Sequence, residues 1–208
     1  MALQFPGFCG LHFNQPVPSG VKIDFDGWDY EKRVSSYINA GYFSASIKRQ
    51  YVPIPFMQYD SYHVGLFPTE EVHNLASHFM DDDFLSSNLL IGEVEGYYGG
   101  EIKDEYGFGK FNRENEEMVK SLFYKSKNVL DGWLGVEGVE TPGVDDGEPW
   151  DINICYDYEL PNNFIQLSLR IEGENNDEPW SIAGIHVYEK NFYEYCQKYQ
   201  KLRQVQKS

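Results

Sequence analysis

Residues 145–188 read DDGEPWDINICYDYELPNNFIQLSLRIEGENNDEPWSIAGIHVY, and they contain the clearest strand pattern of the chain. Within it, apolar and polar side chains alternate along residues 164–172. The apolar set is Ile165, Leu167, Leu169 and Ile171. Period-two alternation places each set on one face of a strand, so the segment predicts a β-strand with one buried face. Residues 152–158 alternate in the same way and predict a second strand.

Turn signals join these strands to a third. Pro161-Asn162-Asn163 separates the first two, and a polar loop over residues 173–178 leads to a strand from Trp180 to Tyr188. The apolar positions of that third strand change parity at Gly184, which predicts a β-bulge. Three consecutive strands with short connections predict an antiparallel meander.

The same patterns predict further strands and three helices elsewhere in the chain. Strands are predicted at 21–25, 42–52, 89–98 and 102–111, and helices at 69–80, 112–131 and 189–206. The strands at 89–98 and 102–111 are expected to pair as a hairpin around Gly99-Gly100. The buried stripe of the second helix is predicted to be Met118, Val119, Leu122, Phe123, Val129 and Leu130. Asp81-Asp82-Asp83 is expected to end the first helix. Gly132 is expected to end the second, because glycine favours the position after a helix.

The remaining stretches predict an arm and a loop. Residues 1–20 contain three prolines and several aromatic side chains, and they predict an extended arm that is packed down on the protein. Residues 132–147 are rich in Gly and acids and predict a long acidic loop. The chain, 1–208, is therefore predicted to be a single α+β domain, with one mostly antiparallel sheet and about three helices packed on one face.

Charge is the second strong feature of the sequence. The net charge is −16, and it is unevenly distributed. Residues 61–111 hold 2 basic and 10 acidic side chains, and residues 136–188 hold 1 and 12, where Arg170 is the only Lys or Arg. A surface of one sign repels nucleic acids and anionic membranes and attracts basic proteins. Direct nucleic-acid binding is disfavoured, because it needs cations against phosphates.

Cysteine usage and the N-terminus favour a cytoplasmic protein. Cys9, Cys155 and Cys196 are odd in number and far apart, which predicts reduced thiols rather than a disulfide framework. Cys155 falls among the polar positions of its strand, so it is predicted to be a surface thiol. Residues 1–15 lack a basic start, and no apolar run reaches the roughly 20 residues that span a bilayer.

Motifs for catalysis and metal binding are weak, so no catalytic residue, cofactor or metal ion is expected. The chain has no GxSxG motif, and residues 106–110 (YGFGK) lack the spacing of a phosphate loop. His73 and His78 lie five positions apart and do not share a helix face. Residues 145–148 and 174–178 offer oxygen ligands for Ca²⁺, but not with EF-hand spacing.

The best candidate for function is an interaction surface. Glu-Pro-Trp occurs at 148–150 and again at 178–180, each time at the start of a predicted strand. The first and third strands of a meander run in the same direction, so both tryptophans are expected at one end of the sheet. Aromatic anchors beside acids suit a basic partner, although each Trp could instead cap the core. The candidate partner-binding residues are Asp81, Asp82, Asp83, Asp145, Asp146, Glu148, Trp150, Asp151, Glu174, Asp177, Glu178 and Trp180.

Together these features predict a non-enzymatic acidic inhibitor that binds and blocks a basic protein. It would be an immunity protein against a nuclease or other toxin, or a phage-type anti-defence protein whose carboxylates mimic nucleic-acid phosphates. A structural or assembly subunit with an aromatic interface is the alternative. A hydrolase with paired carboxylates is the third hypothesis, and it has little specificity because acids are abundant throughout the chain.

Overall fold

The computed structural model describes residues 7–8, 10–24, 41–47, 61–68, 81–99, 109–110, 113–143, 150–172 and 180–207. The strands are β1 (Gly7–Phe8), β2 (Leu11–His12), β3 (Ile23–Asp24), β4 (Phe43–Ile47), β5 (Ser61–Pro68), β6 (Leu89–Tyr98), β7 (Gly109–Lys110), β8 (Val139–Pro142), β9 (Trp150–Glu159), β10 (Asn163–Glu172) and β11 (Trp180–Glu189). The helices are α1 (Asp82–Asn88), α2 (Arg113–Leu134) and α3 (Lys190–Lys207).

A single antiparallel sheet carries the fold. Its main path has the strand order β3-β4-β5-β6-β11-β10-β9-β8, and β7 pairs with the start of β11. Strands β1 and β2 form a separate short hairpin. The predicted α+β class, with one antiparallel sheet and three helices in the described residues, is confirmed.

The predicted meander is present as β9, β10 and β11. In the pairing of β9 with β10, Tyr158 lies opposite Ile165 and Cys155 lies opposite Ser168. This register places the apolar face of β10 on the same side as Tyr158. The pairing shifts between Ile171 and Glu172, which is a bulge that the sequence did not predict.

The chain divides into two compact units, each assembled from several stretches of sequence. Unit 1 comprises residues 1–3, 57–61 and 95–187, and unit 2 comprises residues 4–56, 62–94 and 188–208. The prediction of one domain over residues 1–208 stays a prediction.

The core of unit 1 forms where α2 packs against β10. The buried positions of the helix follow spacings of three and four residues, as an amphipathic helix requires. They are Val119, Phe123, Ser126, Leu130 and Leu134. Val129 was predicted in the buried stripe, but its side chain is 40% exposed. That part of the prediction is wrong, because the buried face runs through Ser126 and Leu134 instead.

The end of α2 lies beyond the predicted stop. Gly132 is inside the helix, which continues to Leu134. Gly135 follows with φ = 67°, and its N–H donates to the carbonyl of Asp131 at 2.9 Å. A left-handed residue after the last turn is a common helix terminus, and it favours glycine. The acidic loop predicted over 132–147 is also corrected, since it contains β8, which pairs with β9.

Two further predictions about unit 1 are corrected. Cys155 is only 3% exposed, so it is not a surface thiol. Strand β6 has the predicted bounds. Only β7 is described of the strand that was expected to pair with β6, and β7 pairs with β11. Lys110 lies opposite Trp180 in that pairing.

In unit 2, helix α3 packs closely against two glycines of the sheet. Phe192 is buried, and a Cβ built on Gly92 would lie 2.3 Å from its ring. A Cβ on Gly65 would lie 3.2 Å from the same ring. Glu189 caps α3, because its carboxylate accepts from the Phe192 amide at 3.0 Å. The glycines therefore let the helix approach the strands closely.

The N-terminal arm packs against β6 within unit 2. Leu11, Phe13 and Val17 are buried. The Asn14 amide donates to the Ile91 carbonyl at 2.8 Å, and the Ile91 amide donates to the carbonyl of residue 15 at 2.9 Å. The prediction that the arm is packed down is confirmed for the described residues, where the arm includes the β1–β2 hairpin.

The acidic triplet begins helix α1. Oδ1 of Asp81 accepts from the Phe84 amide at 2.9 Å, which makes Asp81 the N-cap of α1. Carboxylates at this end are favoured by the helix dipole and by the unpaired amides of the first turn. The helix predicted over 69–80 lies outside the described residues.

Candidate functional site

Half of the predicted partner-binding residues lie outside the described residues: Asp145, Asp146, Glu148, Glu174, Asp177 and Glu178. The side chains of Asp82, Trp150 and Trp180 are not described either, although the backbone places all three. Asp81, Asp83 and Asp151 are exposed. Asp81 and Asp83 belong to unit 2, whereas Asp151 belongs to unit 1.

The backbone brings the two tryptophans to one end of the sheet in unit 1. Strands β9 and β11 flank β10 and run antiparallel to it. Trp150 begins β9 and Trp180 begins β11, so both start at the same end, as the meander predicted. Adjacent strands lie about 4.8 Å apart, so the axes of these two strands are about 10 Å apart.

A second candidate surface, which sequence reasoning missed, lies at the C-terminal half of α2 and on β8. Six large apolar side chains are exposed in the described residues, and five of them lie within residues 124–139. They are Tyr124, Val129, Trp133, Val136 and Val139. Their exposed fractions run from 40% for Val129 to 65% for Val139. They do not form one patch, because Tyr124 and Trp133 are nine positions apart and lie on opposite sides of α2. Val139 points to the face of the sheet that also carries Asp157.

Acidic side chains accompany these apolar groups. Between Lys127 and Arg170 the chain has no Lys, Arg or His and nine acids, namely Asp131, Glu137, Glu140, Asp145, Asp146, Glu148, Asp151, Asp157 and Glu159. Glu137 and Glu140 are exposed. Glu140 points to the face of the sheet that carries Tyr156, whereas Val139 points to the other face. We call Tyr124, Tyr156 and Glu140 the α2–β8 surface, because the rings of Tyr124 and Tyr156 both pack against Phe123 and Tyr156 hydrogen-bonds Glu140.

The carboxylate of Asp131 joins three elements beneath this surface. Oδ1 accepts from the Tyr158 hydroxyl at 2.8 Å and from the Gly138 amide at 3.1 Å. Oδ2 lies 2.5 Å from Nζ of Lys127. Burial raises the pKa of Asp131, but the hydrogen bonds from Lys127, Tyr158 and Gly138 outweigh it, so the pKa lies below its ordinary value. The carboxylate is therefore ionised at neutral pH and fixes the turn between α2 and β8.

Tyr156 and Glu140 form a second fixed contact. The Tyr156 hydroxyl donates to Oε2 of Glu140 at 2.8 Å. This hydrogen bond, with burial and the nearby negative charge, raises the pKa of Tyr156 to about 12. Nζ of Lys127 lies 4.8 Å from the centre of the Tyr156 ring, and the Phe123 ring lies 5.6 Å away. Glu140 is thus an exposed carboxylate whose position is set by its neighbours.

The side chains on the opposite face of β9 are mostly polar, and Cys155 and Asp157 on this face are fully or partly buried. Oδ2 of Asp157 accepts from the Thr141 hydroxyl at 3.0 Å, and Oδ1 accepts from Nε2 of Gln166 at 2.8 Å. Burial raises the pKa of the neighbouring Cys155 thiol, Asp157 adds to the rise, and Arg170 opposes it. A thiol with a raised pKa is a poor nucleophile, because the thiolate is the reactive form.

Comparison with known proteins gives no information about the site. No protein-family model, no curated protein and no solved structure matched this chain. Among the described residues, no helix is both long and apolar enough to cross a membrane.

Proposed function

We propose that this chain is a non-enzymatic acidic protein of the cytoplasm that binds a basic protein and blocks its activity. The observation that carries the proposal is the α2–β8 surface, where the exposed Tyr124 and the ring of Tyr156 lie near the exposed, fixed carboxylate of Glu140. The net charge of −16 gives the whole protein a strong field of the same sign. Such a field speeds the approach of a cationic partner and repels nucleic acids.

The two kinds of side chain on this surface have different parts in binding. Apolar and aromatic anchors supply most of the binding free energy of an interface when they enter pockets on the partner. Carboxylates set the orientation and the rate of association, and they raise specificity against acidic proteins. A surface with both kinds fits a cationic groove better than a purely acidic surface does.

Two forms of the proposed inhibitor follow from the same chemistry. An immunity protein holds one cognate nuclease or toxin. A nucleic-acid mimic occupies the phosphate-binding grooves of several unrelated proteins and competes with DNA or RNA for them. The number of partners, and competition by nucleic acid, separate the two forms.

An assembly subunit is the second candidate function. The half-exposed Trp133 and the exposed Val136 and Val139 favour it, because permanent interfaces bury apolar side chains. Two copies that each carry a net charge of −16 repel one another, which weakens the case for self-assembly. A stable homo-oligomer with little salt dependence, measured by sedimentation, would support this function. The hydrolase hypothesis stays a prediction.

The test of the proposed function is affinity capture from source-cell lysate followed by an activity assay. Capture is done at low salt and at about 0.5 M salt, where the screening length is only a few ångströms. We expect a basic protein that is held at low salt, released at high salt, and inactive when bound. Absence of a basic partner at both salt concentrations, or a partner that stays fully active when bound, contradicts the proposal.

A second experiment tests whether the acidic residues predicted at 145–148 and 174–178 take part in inhibition. Asp145, Asp146, Glu148, Glu174, Asp177 and Glu178 are replaced together by the corresponding amides. If these acids contribute to inhibition, the variant inhibits the captured partner less and its residual binding depends less on salt. Unchanged inhibition removes these loops from the proposed interface.

A further inference from the structure

We infer that Glu140 is the carboxylate of the α2–β8 surface that pairs with a lysine or arginine side chain of the basic partner, and that Tyr156 is its positioning residue. The inference rests on the proposed function and adds to it one contact and the side chain that prepares this contact. Neither residue was predicted from the sequence to bind a partner.

The carboxylate of Glu140 is held in place without losing its charge. Glu140 is exposed on β8 and lies opposite Tyr156 of β9. The Tyr156 hydroxyl donates to Oε2 of Glu140 at 2.8 Å. A hydroxyl is a neutral donor, so it orients the carboxylate but leaves its negative charge uncompensated. Glu140 can therefore meet a cation of the partner at full charge.

The hydroxyl stays a donor over the whole physiological pH range. The hydrogen bond to Glu140, together with burial and the charge of the same carboxylate, raises the pKa of Tyr156 to about 12. Tyr156 is thus protonated wherever Glu140 is ionised and the protein is at neutral pH. The orientation of the carboxylate does not depend on a titration in that range.

Other held carboxylates of unit 1 are less suited to meet a partner. Asp131 and Glu116 are each paired with a lysine of α2, which compensates their charge. Asp157 is partly buried and accepts hydrogen bonds from two neighbouring side chains. Of these four held carboxylates, Glu140 is the one that is exposed and bound to a neutral donor.

Helix α2 fixes Tyr156 in turn. The centres of the Tyr156 and Phe123 rings lie 5.6 Å apart, and Nζ of Lys127 lies 4.8 Å from the centre of the Tyr156 ring. Lys127 is paired with Asp131, so its charge is compensated there and not by Glu140. Tyr156 therefore presents its hydroxyl to Glu140 from a packed position.

A carboxylate that is ordered before binding favours fast and tight pairing. Immobilising a flexible side chain at an interface costs conformational entropy, and this cost is smaller when the side chain is already held. Exposed charges act mainly on the association rate and on its salt dependence. Removing the Tyr156 hydroxyl leaves the charge of Glu140 in place but releases the carboxylate, so it separates positioning from charge.

The test measures how variants of the full chain bind one cationic probe. The probe is a capped peptide of six arginines at low salt, a peptide of six glutamines is the uncharged control, and calorimetry gives the dissociation constants. We expect Glu140→Gln to weaken binding about fivefold and Tyr156→Phe to weaken it about threefold. In the double variant, Tyr156→Phe should add nothing, because no charge is left to position.

Two controls separate this contact from general acidity and from loss of structure. Glu137→Gln removes one exposed acid three positions before Glu140, and its binding is expected to stay within about twofold of wild type. Tyr156→Phe keeps the ring beside Phe123, and circular dichroism checks that each variant keeps its fold. In labelled wild-type protein, the ¹³C resonances of the Glu140 carboxyl and of Tyr156 Cζ should shift together as the arginine peptide is added.

The outcomes distinguish failure of the contact from failure of the function. Equal weakening by Glu137→Gln and Glu140→Gln overturns the assignment of Glu140, as does failure of the arginine peptide to bind. Wild-type binding by Tyr156→Phe, or additive costs in the double variant, overturns the positioning role. These results leave the inhibitor proposal standing, since it depends on capture of a basic protein. Capture of no basic protein overturns the proposed function, and the inference falls with it.

Discussion

The hydroxyl of Tyr158 donates a 2.8 Å hydrogen bond to Oδ1 of Asp131, which lies 27 positions earlier in the chain. The contact joins the end of β9 to the last turn of α2. The same carboxylate also holds the Gly138 amide and Lys127. One side chain therefore determines how α2 leads into β8, and with it the shape of the α2–β8 surface.

Asp131→Asn is expected to lower the free energy of unfolding by about 1–3 kcal/mol at neutral pH. The amide is uncharged, so it weakens the ion pair with Lys127 and the hydrogen bonds that the carboxylate accepts. Urea denaturation measures the change. Glu117→Gln, at an exposed position of the same helix, is the control and is expected to stay within about 0.5 kcal/mol of wild type.

The cost of Asp131→Asn is expected to depend on pH. Because folding lowers the pKa of Asp131 from its ordinary value of 3.8, the ionised form contributes stability above that value. This contribution is lost as the pH falls through the folded-state pKa. The difference between wild type and variant should therefore be largest at neutral pH and shrink in acid. A difference that is constant from neutral pH to strong acid contradicts this account.

Tyr156 is expected to titrate near pH 12 in the wild type and closer to its ordinary value of 10 in Glu140→Gln. Its raised pKa stabilises the fold below pH 10, and that contribution is lost as the pH rises through about 12. ¹³C resonances of tyrosine Cζ, followed against pH, measure the pKa, and Tyr156→Phe assigns the resonance. An unchanged pKa in Glu140→Gln would remove the hydrogen bond as the main cause.

Gly132→Ala and Gly135→Ala are expected to change stability in opposite directions. Gly132 lies inside α2 with open space where a Cβ would be, so alanine stabilises by about 0.5–1 kcal/mol. Gly135 has φ = 67°, and alanine is strained there by roughly 1–2 kcal/mol. Thermal or urea unfolding of both variants tests the helix end. The reverse order would place the end of α2 at Gly132.

The strands of the meander were predictable because alternation follows directly from the geometry of a half-buried strand. The bounds of β6, and the antiparallel order of β9, β10 and β11, agree with the sequence patterns. Burial of Cys155 was not predictable in the same way. Its neighbours Asn153 and Asp157 are polar, but Asp157 is satisfied by Thr141 and Gln166, which belong to other strands.

The sequence patterns missed both the last turn of α2 and strand β8. Ending the helix at Gly132 placed Trp133 and Leu134 in the predicted loop, and the apolar pattern alone placed Val129 in the core. Continuing the helical spacing past Leu130 would have placed Leu134 on the buried face and left Val129 and Trp133 outside it. β8 pairs with β9 through contacts between residues that are distant in sequence. The sequence itself shows β8 only as a short segment that ends at Pro142.

Asp81→Ala is expected to destabilise the protein by about 0.5–2 kcal/mol, because the Phe84 amide loses its capping acceptor. Asp83→Ala is the matched control, since Asp83 lies in the first turn of α1 and is exposed. It is expected to cost only about 0.3–1 kcal/mol through the helix dipole. Urea denaturation ranks the two variants. Equal costs would mean that the triplet acts only through its charge and not through the cap.

Gly92→Ala tests how closely α3 approaches β6 in unit 2. A Cβ on Gly92 would lie 2.3 Å from the Phe192 ring, so the ring or the helix must move. Overpacking of this kind costs about 1–3 kcal/mol, whereas Phe192→Leu alone costs stability through lost packing. In the double variant Gly92→Ala/Phe192→Leu, the smaller side chain relieves the clash, so the two costs should not add. Urea denaturation of the four proteins of this cycle should give a favourable coupling of about 0.5–3 kcal/mol. Simple additivity of the two costs would show that Gly92 and Phe192 are not in contact.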